Sequence, residues 1–306
     1  MKTMDCVSLF CKEKQESGSV SASTIVYYLN YLRGFLIKEN LMDKDINSVT
    51  IENVNNWIKS YINDNKLTTL VKKRMALHSF FSWCYSAGLT KKNILAGYKM
   101  QFLDELPLHQ KEKRSRKVIT DSELHNILIE ARKEIAEAKA LVDKNNIVLS
   151  DDIFFNFRMR NLNHRLVIVQ YYNACFCECA IIVSRYTGLR LMDIASLEWE
   201  SINENHLVVW THKTNTRVVI PTNKLVRDIL AKQQKIHPIY IFPFISRKTG
   251  TPSSLAILSR KIGDIYYRAG IIDKNFHDLR ATFITSTIKS GIEIPLVMKM
   301  VGHKNL

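Results

Sequence analysis

The chain has 306 residues, 46% of them hydrophobic, with 44 lysines and arginines against 29 aspartates and glutamates, a formal charge of +15 at pH 7 and an isoelectric point near 9.5. That length supports one large core or two moderate ones, with two domains the natural expectation, and so basic a balance points to a polyanionic partner, nucleic acid being the commonest. The opening MKTMDCVSLF is too short and polar for a signal peptide, no apolar run reads as long enough to span a bilayer, and no basic helix shows the wide apolar face of a membrane-surface segment, so a cytoplasmic protein with no membrane partner is expected.

The first hundred residues predict helices. Ser23 is placed to cap a stripe of Ile25, Leu29, Leu32 and Leu36. A second helix is expected from about Thr50 to Asn63, with Ile51, Val54, Trp57, Ile58 and Tyr61 facing inward. A third starts near Leu70, carries Leu77, Phe80, Phe81 and Cys84 at helical spacing, and stops at Gly88. Lys72, Lys73 and Arg74 at its start are either a solvated face or phosphate contacts; the overall charge favours phosphate. Residues 1–102 thus form one expected domain. The stretch 103–117 combines a proline with Lys111, Lys113, Arg114, Arg116 and Lys117, and like charge at this density predicts an extended linker able to cross a DNA backbone.

A second domain is expected over 118–306. Thr120 and Glu123 make a capping box ahead of Leu124, Ile127 and Leu128. Residues 134–165 begin as helix, break at Asn145 and Asn146 and are expected to resume near Asp151, a longer stretch than the rest of the pattern explains. A strongly apolar helix over about 167–187 ends at Gly188 and contains Cys175, Cys177 and Cys179. Residues two apart on a helix diverge, and no paired CxxC exists elsewhere, so these thiols read as core and no metal site is expected. LVVW at 207–210 and RVVIP at 217–221 predict a β-hairpin, and helices with short loops follow. No glycine-rich phosphate loop or HExxH cluster appears, and no cofactor is expected.

Three motifs then stand in order: TGLRLMDIASLEW at 187–199, HDLRATF at 277–283, and VGH at 301–303. With the hairpin lysine between the first two, this set resembles the tyrosine recombinases of the phage integrase type, over nearly the whole chain. The resemblance implies a mainly α fold with a small β-sheet: a helical, SAM-like core-binding domain and an α+β catalytic domain. It implies an enzyme that breaks and rejoins double-stranded DNA through a 3′-phosphotyrosyl intermediate, working as a homo-tetramer on two DNA sites.

The chemistry fits those residue types. Attack on a phosphodiester loads charge onto the non-bridging oxygens, and two guanidinium forks can meet them. The resemblance assigns the forks to Arg190 and Arg280, the general acid to Lys213, the proton acceptor to His277 and a phosphoryl hydrogen bond to His303. Asp193, one helical turn from Arg190, reads as the residue that orients it. The family's tyrosine is expected shortly after the third motif, beyond Leu306, so residues 1–306 alone are expected not to cleave; Tyr266 and Tyr267 are not expected to substitute. Two other readings are a cleavage-incompetent DNA-binding member of the same family and a basic RNA-binding protein. The second is disfavoured because the aromatics fall on helical core stripes.

Overall fold

The computed structural model describes residues 1–64, 66–100, 116–246, 249 and 255–302. The chain divides into two compact units, Met1–Ser115 and Arg116–Leu306. Among the described residues the first is all helix and the second is helical with one two-stranded antiparallel sheet.

The first unit packs α1 (Thr3–Glu16), α2 (Ala22–Lys38), α3 (Ile51–Lys59) and α4 (Leu67–Ser86) around one core. In α1, Thr3, Cys6, Val7, Phe10 and Cys11 are buried. The N-cap of α2 is Ser21, not Ser23: the Ser21 hydroxyl accepts the Thr24 amide at 3.3 Å, and Ser23 falls inside the first turn. Thr50 caps α3 in a reciprocal box with Asn53, but the helix stops at Lys59, and Ile51 faces out, 45% exposed. Within this nine-residue helix Val54, Trp57 and Ile58 are the buried residues. Helix α4 starts at Leu67 and buries Leu77, Phe80, Phe81 and Cys84 as expected; Gly88 then takes φ +69°.

In the second unit, Thr120 and Glu123 form the expected capping box on α5 (Asp121–Lys144). The helix ends at Asn145, and Asn146 turns the chain at φ +52°. Helix does not resume at Asp151. Turns and a single 3-10 turn at Phe157–Met159 intervene, and α6 (Leu162–Thr187) begins only behind the Asn161 cap. Helix α6 also corrects the expectation about bilayer-length runs: it holds an 18-residue window of mean hydropathy 1.7, long and apolar enough to cross a membrane. That window is 61% buried in the structure because α6 is the central helix of the core, where Phe176, Cys177, Cys179 and Ile181 are fully buried.

After a short α7 (Leu191–Ala195) come β1 (His206–Trp210) and β2 (Arg217–Pro221), paired with Val208 opposite Val219. Leu207, Val209, Val218 and Ile220 point into the core, as the alternation requires. Helices α8 (Lys224–Ala231), α9 (Leu255–Arg268), α10 (Phe276–Lys289) and α11 (Ile294–Val301) complete the unit.

Candidate active site

The site is assembled where α6 ends. Gly188 sits at φ +68°, and a Cβ there would come 2.5 Å from the Phe283 ring and 3.0 Å from Val301. Only glycine meets both the left-handed backbone and the close approach of α10 and α11. The turn is tied by Ser184 Oγ donating to the Leu189 carbonyl at 3.0 Å and Thr187 Oγ1 to the Val183 carbonyl at 2.6 Å. Arg190 follows immediately, extended at ψ 155°, at the entrance to α7.

Arg280, on α10, is 3% exposed. Its Nη1 donates to the Gly188 carbonyl at 2.6 Å and its Nη2 to the Val301 carbonyl at 2.7 Å. One guanidinium therefore ties the first motif to the third, through charge-assisted bonds worth about 1.5–3 kcal/mol each. Burial, with the positive field of Arg190 next, pulls the Arg280 guanidinium down to about 10, still charged at neutral pH. Arg190 Nη1 is buried without a hydrogen-bond acceptor and lies 3.8 Å from Asp193 Oδ2. An under-satisfied guanidinium beside a second buried one leaves a site of concentrated positive charge, which an anion would stabilise.

Asp193 does more than face Arg190. It is 2% exposed; Oδ2 accepts the Arg190 amide at 3.4 Å and Oδ1 accepts the His212 amide at 2.7 Å. A single carboxylate thus joins the α7 entrance to the hairpin turn, a function the motif spacing did not show. The turn is pinned from the other side as well. Thr214 Oγ1 donates to the Gly302 carbonyl at 3.2 Å, and a Cβ on Gly302 (φ +65°) would meet Thr211 at 3.1 Å. Lys213 rides this turn, exposed. The turn carrying Lys213 is therefore brought to the third motif and to Asp193, while the ammonium itself makes no ion pair among the described residues.

His277 opens α10 behind the Asn275 cap, with its amide donating to Asn275 Oδ1 at 2.9 Å. The half-buried imidazole is pulled down to about 4, first by burial and then by the positive charges of Arg116, Arg280 and Arg190. It is neutral at pH 7. Arg116 is one of the basic residues expected in the linker. Its Nη1 lies 3.9 Å from Asp278 Oδ1, a fully buried carboxylate whose Oδ2 accepts the Asn275 amide at 2.7 Å. Lys117 is ion-paired with Asp273. Both cations thus pack on the second unit. Lys111, Lys113, Arg114 and His303 lie outside the described residues.

Among the helix α4 cations, Lys72 is exposed and Arg74 partly so. The expectation of phosphate contact fails for Lys73, which is 7% exposed. Its ammonium sits 3.5 Å from the Tyr61 ring centroid and 4.8 Å from those of Tyr31 and Trp57, held by aromatic faces. Position in the sequence could not reveal that the residue points inward. Tyr266 is 1% exposed with burial raising its hydroxyl well above the ordinary range, which leaves it inert; Tyr267 is 71% exposed.

The phage integrase family model matches residues 157–306, the span that holds all three motifs. The integrase of Salmonella phage P22 is 30% identical over 132 residues, 39% of this chain and 34% of that protein, so the chain spans about a third of the length of this relative. A lambda integrase(75–356) dimer bound to a COC′ core site shares the fold at a TM-score of 0.68 and 19% identity, covering 100% of this chain and 96% of that one. A lambda integrase tetramer bound to a Holliday junction gives a TM-score of 0.67 at 18% identity, with 98% and 77% covered. Motif order, the Arg280 guanidinium that latches the end of α6 to α11, and these matches agree: residues 157–306 belong to the phage integrase family of tyrosine recombinases.

Proposed function

We propose that this protein is a site-specific DNA recombinase that breaks and rejoins double-stranded DNA through a 3′-phosphotyrosyl link, acting as four protomers on two duplexes. The observation that carries the reading is the convergence of Arg190, Arg280 and a neutral His277 at one turn, braced by Asp193 and the hairpin. The guanidiniums of Arg190 and Arg280 hold the non-bridging oxygens of the scissile phosphate and take up the charge that builds there. His277 accepts the proton of the attacking tyrosine hydroxyl. A new bond forms from the tyrosine oxygen to phosphorus, the bond from phosphorus to the 5′-oxygen breaks, and Lys213 gives that oxygen its proton. His303 adds a hydrogen bond to the phosphoryl group. The family's attacking tyrosine follows the third motif; within the 306 residues none follows Gly302.

Bound phosphate changes the electrostatics in the useful direction. The cations that depress His277 would then face an anion, so the imidazole regains basicity when substrate arrives. Lys72 and Arg74 would grip the duplex backbone, making affinity fall steeply with salt. The test uses protein expressed from the gene, including any codons past Leu306, and nicked suicide duplexes selected for binding to it. A covalent protein–DNA band on a denaturing gel, absent in Arg190→Ala and Arg280→Lys, is expected. Tight binding without that band in the unaltered protein overturns cleavage and leaves a DNA-binding protein.

A further inference from the structure

The segment between α5 and α6, with the first turns of α6, exposes several large apolar side chains. Phe155 is 62% exposed, Met159 88%, Leu162 64% and Leu166 60%. Leu162 and Leu166, four apart on α6, share one helix face, and Met159 lies in the turn that leads into it. This surface is held in place. Phe155 stacks on His237 at 5.8 Å and 14°, Asn161 caps α6, and Asn163 Nδ2 donates to Asn145 Oδ1 at 2.8 Å, fastening the start of α6 to the end of α5. An exposed apolar cluster on a fixed scaffold marks a binding surface more than a loose loop.

The lysine and arginine positions within residues 153–177 are all arginine. Arg158, Arg160 and Arg165 make no ion pair among the described residues, and the Nε atoms of Arg160 and Arg165 are buried without an acceptor. Asp151 and Asp152, at the Phe155 end, accept hydrogen bonds from Gln234 and Asn156, and no further carboxylate occurs before Glu178. The chain has 28 lysines and 16 arginines, yet no lysine between Lys144 and Lys213. A DNA-facing surface gains from either cation and gains nothing from methionine, leucine or phenylalanine laid against hydrated phosphates. Protein interfaces are enriched in arginine, methionine and aromatics and depleted in lysine, which is the composition of this patch.

We propose that the face formed by Phe155, Met159, Leu162 and Leu166 with its arginine rim docks an acidic, apolar-sided segment of a partner protein. The partner supplies paired apolar side chains to the centre and aspartates or glutamates to Arg158, Arg160 and Arg165. The inference is independent of the cleavage chemistry, because none of these residues belongs to the motif cluster.

The experiment selects a displayed library of random 16-residue peptides on the 306-residue chain, with counter-selection on the double variant Met159→Ser, Leu162→Ser. Both positions are exposed, and an unchanged melting curve confirms that the variant folds. Enriched peptides are expected to carry apolar residues at i and i+4 flanked by acidic ones, and to bind the variant at least tenfold more weakly. Arg158→Gln should weaken them severalfold and flatten their salt dependence, while affinity for a random 30-base-pair duplex stays within twofold for all proteins. Failure to enrich against the variant, or enrichment of peptides without acidic residues, overturns the proposal. A tenfold loss of duplex affinity in the double variant would make the face a DNA surface, and self-association lost in that variant would make it a contact between copies; either result also overturns it.

Discussion

Lys73 in the first unit and Arg280 in the second are both buried cations, 7% and 3% exposed, and the fold treats them in opposite ways. Around Lys73 are the faces of Tyr31, Trp57 and Tyr61, which quench its charge with ring quadrupoles and leave nothing for a ligand. Around Arg280 are two backbone carbonyls and a second guanidinium, that of Arg190, so charge is concentrated there instead of spread. Burial alone therefore does not distinguish a structural cation from a reactive one. The difference lies in whether the neighbours cancel the charge or add to it.

The largest expected effect comes from dividing that second pair. Arg280→Ala leaves the Gly188 and Val301 carbonyls buried without donors, and should cost about 3 kcal/mol or more of stability as well as the adduct. Arg190→Ala should abolish the adduct yet cost less than Arg280→Ala, because its Nη1 makes no hydrogen bond and Asp193, its ion-pair partner, still accepts two backbone amides. Urea melts and suicide-duplex assays on the two variants check both halves. Equal destabilisation would mean that Arg190 is a structural cation like Lys73.

The aromatic site makes the complementary prediction at smaller size. Lys73→Ala empties a space walled by three rings and should cost about 1–2 kcal/mol, whereas Lys73→Met, which keeps the stem and removes a desolvated charge, should stay within about 1 kcal/mol of the parent. Neither should change the salt slope of duplex binding. Lys72→Ala, on the exposed side of the same helix, should leave stability alone and lower that slope by about one. A slope change in Lys73→Met would restore the phosphate reading.

Features decided within one or two turns were readable from the residues. The Thr120–Glu123 box, Gly188 at the end of α6, the alternating hairpin and the His277–Arg280 spacing all rest on local geometry, and the structure has each of them. Failures occur where a local signal had two solutions or where tertiary neighbours decide. Ser21 and Ser23 are equally good capping residues, and only the register of α2 selects the first. Lys73 reads as part of a basic run until α3 supplies Trp57 beside it. Likewise, Arg116 reads as linker until α10, some 160 residues later, presents Asp278. The sequence located the arginines and Asp193 beside Arg190; it did not show that Asp193 also joins the hairpin turn, because the His212 amide has no sequence signature.

That Arg116 contact yields the finest test of the comparison, since it asks whether charge concentration extends to a third guanidinium. His277 titrates low, at about 4, with Arg116 the largest electrostatic contributor after burial itself. An unfolded histidine titrates near 6.5, so between pH 4 and 6.5 the unfolded chain binds more protons than the folded one. The His277 contribution to stability is therefore present above about pH 6.5 and is lost as the pH falls toward 4. Arg116→Gln should raise the His277 midpoint by a fraction of a pH unit, read by NMR on labelled histidine, and narrow that window, while His277→Asn removes it. Arg116 is half exposed, so solvent screening keeps the shift small. A midpoint unmoved by Arg116→Gln but raised by Arg190→Ala would confine the charged cluster to the two arginines of the motifs.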